Sequence, residues 1–227
     1  MLVLLLAGCT LPGGSDDDPT QTPLAVDVGS DISTGCWNAG QRTLPLADGG
    51  GSEQIPQWSE KPAQVIDPAR TYTATVVTNK GTFAFNLLAS DAPVAVNSFV
   101  CLARAGFFDG VAFHRIVAGF VIQGGDPTGT GGGGPGYRFA EEPVTRGYSR
   151  GIVAMAKARE PGTTGSQFFV CLADVGLPPQ YTIFGEVTSG METVDAIGAV
   201  TTGPNSSGEM SSPLEQVTME SVTITEV

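Results

Sequence analysis

Cations are scarce in this 227-residue chain: 11 Lys+Arg stand against 23 Asp+Glu, a net charge of −12. That balance argues against a nucleic-acid partner, because phosphate binding needs a cationic surface. Histidine occurs once, as His114. A His-based zinc site or a His-bearing triad would have to be built around that one residue. Charged residues make up only 15% of the chain, too few for long solvated helices or a coiled coil. No apolar run approaches the roughly 20 residues of a membrane-spanning helix. The four cysteines contain no CxxC pair, which weighs against a redox or zinc motif. Glycine is plentiful, 31 residues, about twice its usual share, but it shows no three-residue period, so a collagen helix is excluded. What is present is 41% apolar residues, enough for a core and unlike a wholly disordered chain.

Leu2 to Ala7 is a short apolar run, and Leu6-Ala7-Gly8-Cys9 after it resembles a bacterial lipobox. That resemblance implies cleavage before Cys9, a lipid on its thiol, and a membrane-anchored, extracytoplasmic protein. Residues 1–8 are then a lipoprotein signal, truncated because no Lys or Arg precedes the run. From Thr10 to about Asp31 the chain is rich in Gly, Pro, Ser, Thr and Asp, with Asp16-Asp17-Asp18 adding self-repulsion. It cannot bury enough surface to fold and reads as a tether. Residues 9–64 as a whole are expected to be a flexible tether and pre-domain segment.

With Cys9 lipidated, Cys36, Cys101 and Cys171 remain. An exported protein can keep a disulfide. Cys101 falls on a predicted helix, Cys171 in a predicted core strand, and Cys36 in the pre-domain segment. Two arrangements fit: a Cys36–Cys101 bridge pinning that segment to the domain, or three unpaired thiols with Cys171 acting as a small buried hydrophobe.

Two β-rich runs, Thr71–Thr78 and Thr82–Leu88, flank Asn79-Lys80-Gly81 and predict a hairpin. Asp91 followed by Pro93 predicts a helix start, and Gly106 its stop. Short β-like runs follow at 111–116, 120–123, 151–156, 167–172 and 181–187. A second helix fits 191–197. The last run, 216–227, alternates apolar and polar residues with a phase slip near Glu220–Ser221. Many short strands with two helices point to a closed antiparallel barrel.

Three segments carry the chemistry: Phe113-His114-Arg115-Ile116 leading to Gly119-Phe120-Val121-Ile122-Gln123-Gly124-Gly125-Asp126; Met155-Ala156-Lys157-Ala158; and Gly165-Ser166-Gln167-Phe168-Phe169 followed by Tyr181-Thr182-Ile183-Phe184-Gly185. In order and spacing they resemble the cyclophilin family of peptidyl-prolyl isomerases over about residues 65–227. The resemblance implies a mainly β fold, a closed eight-stranded antiparallel barrel capped by two α-helices, with a substrate groove on its outer face. It implies no metal and no cofactor, and proline-containing polypeptides as substrates of a monomeric enzyme. Arg115 matches the family's catalytic arginine. Gln123 matches the residue that bonds substrate backbone and steadies that arginine. Phe120, Val121, Phe169 and Leu177 match the walls of the proline pocket. Ala156, Lys157 and Ala158 match an edge that pairs with extended substrate. Gln167 lines the groove, and His114 matches a packing neighbour of the arginine. The run from Gly129 to Gly136, with Gly131 in it, matches a loop beside the groove. It lacks the Lys-Ser/Thr ending of a phosphate loop. Asp126 is expected to be structural.

The chain departs from the family pattern at Lys157, where an asparagine is usual, and at Thr164. It also departs at Gly176, near a frequent tryptophan, and at Tyr181, where a histidine is common. Loss of the tryptophan implies weakened cyclosporin binding, and Lys157 implies a cation bordering the groove. The leading reading is an isomerase assisting protein folding outside the cytoplasm. The alternative is a non-catalytic, proline-binding or chaperone module at the cell envelope.

Overall fold

A computed structural model describes residues 35–37, 41–45 and 54–226. The expected signal, lipidation site Cys9 and tether at 10–31 lie outside the described residues. The elements are, in order, β1 (Gln41–Pro45), β2 (Gln54–Trp58), β3 (Tyr72–Thr78), β4 (Gly81–Leu87), α1 (Pro93–Arg104), β5 (Arg115–Val117) and β6 (Val121–Gly124). They continue with β7 (Ile152–Met155), β8 (Phe168–Cys171), β9 (Ile183–Ser189), α2 (Met191–Gly198), β10 (Thr202–Pro204), β11 (Met210–Pro213) and β12 (Met219–Glu226).

Eight strands form one antiparallel sheet in the order β12-β3-β4-β9-β7-β8-β6-β5. The period-two pattern decides which face is inside. Along β3, Tyr72, Ala74, Val76 and Thr78 are buried; along β4, Phe83, Phe85 and Leu87 are. The two-residue link Asn79-Lys80 joins them in register, Thr78 opposite Gly81. The phase slip at the end of the chain is a register shift between Met219 and Ser221 in the β12–β3 ladder.

The sheet is strongly curled, but its ladder is not continuous around the ring. Edge strands β12 and β5 do not pair. The residues just before β5 pair instead with the start of β12 and the residues leading into it. The Gly110 amide donates to the Met219 carbonyl, Phe113 to Val217 and Met219 to Val111, at 2.7–2.9 Å. A barrel closed by strand ladders all round therefore overstates the closure, which rests on this short bridge.

Helix α1 lies against the inner face. Phe99 is its central side chain, 1% exposed. Its ring meets Phe85, Phe108, Phe168 and Phe184 at centroid distances of 4.9–5.6 Å. The helix start differs from expectation. Pro93 is in the first turn, but Asp91 is not the cap; it pairs with Arg146 at 3.0 Å. Because proline has no N–H, the first free donors are Val94 and Ala95. Both donate to the Glu142 carboxylate at 2.9 Å, an anion placed at the positive end of the helix.

The stretch before residue 65 is not wholly a flexible lead-in. Strand β2 pairs with β1, and Ile55 and Trp58 join the core. Trp37 stacks on Trp58 at 4.4 Å, and Cys36 is disulfide-bonded to Cys101 of α1. Tryptophan burial and the cross-link outweigh the Gly- and Pro-rich composition around them. Cys171 is buried and unpaired, and burial pushes its thiol up to about 12, so it is inert. The β10–β11 hairpin was also not foreseen; β10 is three residues long and its register breaks between Gly203 and Pro204.

Candidate active site

Strands β5, β6 and β8 lie side by side, so Arg115 faces Gln123, and Gln123 faces Phe169. Ile116, Ile122 and Val170 point into the core with no exposure. Alternation then sends Arg115, Gln123, Val121 and Phe169 to the outer face. There Val121 and Phe169 form a second apolar cluster with Tyr148, Ile152, Ala154, Cys171 and Ile183, flanked by half-buried Phe120, Ala156, Leu177 and Tyr181. Tyr181 packs edge-on to Phe169 at 5.8 Å. Its backbone is clamped by the Tyr148 hydroxyl, which accepts from the Tyr181 amide and donates to its carbonyl. Tyr148 carries no motif and was not foreseen.

A polar chain runs beside this apolar patch. Arg115 Nη1 donates to Gln123 Oε1 at 3.4 Å, Gln123 Nε2 to Gln167 Oε1 at 3.0 Å, and Gln167 Nε2 to the carbonyls of Gly131 and Gly133 at 3.0 and 2.9 Å. Asp126 holds the same loop from below, accepting from the amides of Thr128, Gly131 and Gly133 and from the Thr128 hydroxyl. Burial pushes the Asp126 carboxyl up, but these hydrogen bonds together hold it below its ordinary value. Asp126 is thus structural, as expected. Gly125 sits at φ +82°, where an added Cβ would come within 2.3 Å of the Ser166 carbonyl oxygen. Only glycine lets β6 approach the Gln167 strand this closely.

His114 is half-buried beside Gly131, and neither ring nitrogen has a hydrogen-bond partner among the described residues. Burial, helped by the Arg115 charge and opposed by Asp126, lowers its pKa. The ring is neutral at neutral pH and packs rather than exchanging protons. Lys157 lines the cavity side of the groove, where a cation is expected. Its side chain is only 6% exposed and lies 3.9 Å from Glu141, so that charge has a carboxylate neighbour.

The partner of Arg115 was invisible in the sequence. Glu209, in the turn between β10 and β11, takes Nε and Nη2 of Arg115 in a two-pronged ion pair, both contacts 2.7 Å. Asn205 shapes the turn, its Oδ1 accepting from the Glu209 amide. The Arg115 hydrogen bonds, against the opposing effect of burial, hold the Glu209 carboxyl below its ordinary value. Arg115 keeps Nη1 toward Gln123 and the groove. A cavity of about 930 Å³ adjoins the apolar patch and collects Gln123, Gly131, Ala156, Lys157, Ala158 and Gln167. Arg115, Phe120, Val121, Phe169, Leu177, Tyr181 and His114 are not on its wall. The expected residues therefore divide between an apolar patch and a polar cavity, with Gln123, Gln167 and Ala156 at the seam. Among the described residues no group of three or more His, Cys, Asp or Glu is placed to hold a metal ion.

A curled eight-stranded sheet with two helices and an outer-face groove of this kind defines a peptide-binding β enzyme. Residues 73–224 match the model of the cyclophilin type peptidyl-prolyl cis-trans isomerase family, and the chain belongs to that family of peptidyl-prolyl isomerases. A peptidyl-prolyl cis-trans isomerase of Helicobacter pylori is 48% identical over 134 residues, 57% of this chain and 82% of its own length. Peptidyl-prolyl cis-trans isomerase B of Streptomyces anulatus is 42% identical over 174 residues, covering 66% and 95%. Among solved structures, a Cryptosporidium parvum cyclophilin determined in the presence of the dipeptide Ala-Pro is 34% identical. It has a TM-score of 0.62 and is covered over 98% of its length by 67% of this chain.

Proposed function

We propose that this isomerase acts on proteins folding outside the cytoplasm, tethered to a membrane through Cys9, and that Arg115 is its catalytic residue. The barrier to rotating a peptide bond is about 18–20 kcal/mol, because resonance must be broken. No nucleophile or metal is required; the site need only bind the twisted amide better than either planar form. On twisting, the prolyl nitrogen becomes pyramidal and its lone pair localises. A fixed cationic N–H donor gains strength at that moment. The observation that carries this reading is the bidentate Arg115–Glu209 pair beside Gln123. It holds the guanidinium plane and leaves Nη1 available. Phe120, Val121, Phe169, Leu177 and Tyr181 offer an apolar bed to a proline ring, and residues 156–158 offer backbone to an extended peptide.

Two features support the location: the lipobox-like Leu6-Ala7-Gly8-Cys9, and the Cys36–Cys101 disulfide, which suits an oxidising compartment. In the source cells, labelled palmitate is expected in the wild-type protein and absent from Cys9→Ser. Unlabelled wild type would remove the anchor from the proposal. Cyclosporin binding is expected to be weak, because the rim at Gly176 is open: an added Cβ would meet nothing within 4 Å. Loss of one aromatic contact of the hot-spot kind corresponds to a dissociation constant about tenfold or more above that of a Trp-bearing homologue. Equal constants by calorimetry would refute it.

A further inference from the structure

The 930 Å³ cavity has a wall that lies outside the family match. Ile55 and Gln57 of β2 line it, while the match begins at residue 73. Gln57 Nε2 donates to the Gly134 carbonyl at 2.6 Å, and the Trp58 amide to the Pro135 carbonyl at 2.8 Å. Gly136, at φ +92°, lies so close that an added Cβ would come within 2.6 Å of the Trp58 carbonyl oxygen. The glycine-rich loop is therefore gripped from two sides. Gln167 and Asp126 hold Gly131 and Gly133, and β2 holds residues 134–136.

Strand β2 is itself clamped. Trp58 is buried between Trp37 and Phe107, at 4.4 and 5.9 Å. Cys36, next to Trp37, is bonded to Cys101 of α1, and the Ala63 amide donates to the Cys36 carbonyl. Asn97 of α1 accepts from the amides of Val65 and Ile66 and donates to the Ala63 carbonyl. The segment that leads into the domain is thus locked to the same helix that organises the core.

The chemistry of the lining is one-sided. Its charged residues are Arg138 and Lys157, with no carboxylate among them, in a protein of net charge −12. Lys157 has Glu141 as a neighbour at 3.9 Å. Arg138 is exposed and has no ion-pair partner among the described residues.

We propose that β2, held by the Cys36–Cys101 clamp, forms a working wall of the substrate groove, and that the cavity it completes selects an acidic side chain flanking the X–Pro pair. The inference rests on the isomerase reading of the adjoining site. Gln57 acts through the loop, as a positioning residue. Ile55 and Arg138 face the occupant.

The test uses the full chain and five peptides: a short X–Pro peptide, and the same peptide extended on each side in turn with glutamate or with lysine. In wild type the glutamate extension on one side is expected to raise kcat/KM about tenfold over the short peptide, chiefly through KM, and the lysine extension is not. In Gln57→Ala, and in the double variant Cys36→Ser/Cys101→Ser, that extended-to-short ratio is expected to fall about fivefold, and Gln57→Glu is expected to lower it further. An unchanged ratio in Gln57→Ala overturns the proposal, as does equal gain from lysine and glutamate. If the cysteine variant folds too poorly to assay, Gln57→Ala decides alone. No acceleration of the short peptide by wild type would instead be a failure of the isomerase reading, and is read separately.

Discussion

Replacing Arg115 by alanine is expected to lower kcat/KM for an X–Pro peptide by about 10²–10³-fold, the usual consequence of deleting one preorganised donor to the transition state. The fold should survive. Arg115 and Glu209 are 27% and 40% exposed at the side chain, so their pair is screened and contributes about 1 kcal/mol or less to stability. Arg115→Lys keeps the charge but not the planar fork, and is expected to recover only part of the loss. Glu209→Gln is expected to cost less, about three- to tenfold, because it frees the guanidinium from its fixed plane without removing it. A pH profile separates orientation from bulk. The Glu209 pKa is depressed, so the ion pair is intact above it and is lost as pH falls through it. Wild type should therefore hold its activity through neutral pH and fall by about the same three- to tenfold on an acid limb below the ordinary carboxylate range, and Glu209→Gln should lack that limb. Magnetisation-exchange NMR on the peptide measures all of these directly. An Arg115→Ala protein with wild-type exchange rates would end the assignment of Arg115.

The second large effect is on stability. Phe99→Ala is expected to destabilise the domain by about 3–5 kcal/mol, the cost of deleting a buried aromatic side chain whose cavity cannot fully collapse. The surroundings are stiff. Phe85, Phe108, Phe168 and Phe184 hold one another as well as Phe99. For a domain of this size that loss corresponds to a drop in Tm of about 10 °C. Urea denaturation would measure it. A loss under about 1 kcal/mol would mean that the cluster repacks. The groove should feel the change too, since Phe168 belongs to this core and the next residue, Phe169, to the apolar cluster on the outer face.

What could be read in the sequence follows from range. The β3–β4 hairpin is local: two alternating runs and a two-residue link. The phase slip near Glu220 showed as a broken alternation and is a register shift in the structure. The groove was legible because its residues sit in three dense segments, and β5, β6 and β8 bring Arg115, Gln123 and Phe169 together by simple antiparallel pairing. The rest depends on contacts with no local trace. Glu209 reaches Arg115 across 94 positions, Glu142 reaches α1 across 47 and 48, and Gln57 reaches Gly134 across 77. In each case the partner lies in a turn or irregular segment, or in a strand outside the expected domain. Nothing in the periodicity there marks it. Asp91 shows the converse: a good local helix-cap signal was overridden by a carboxylate from elsewhere in the chain.

The pairing of β12 with β3 has a consequence for biogenesis. The strand made last lies beside the strand made first in the main sheet, and the residues leading into it also supply the bridge at 110–113. Until residues 217–226 have left the ribosome, two edges of the sheet have no mate. Non-local pairings of this kind fold slowly, and unmated edges attract other chains. This protein, which turns proline bonds in others, must therefore pass through a late, vulnerable stage of its own, ended only when its final strand arrives.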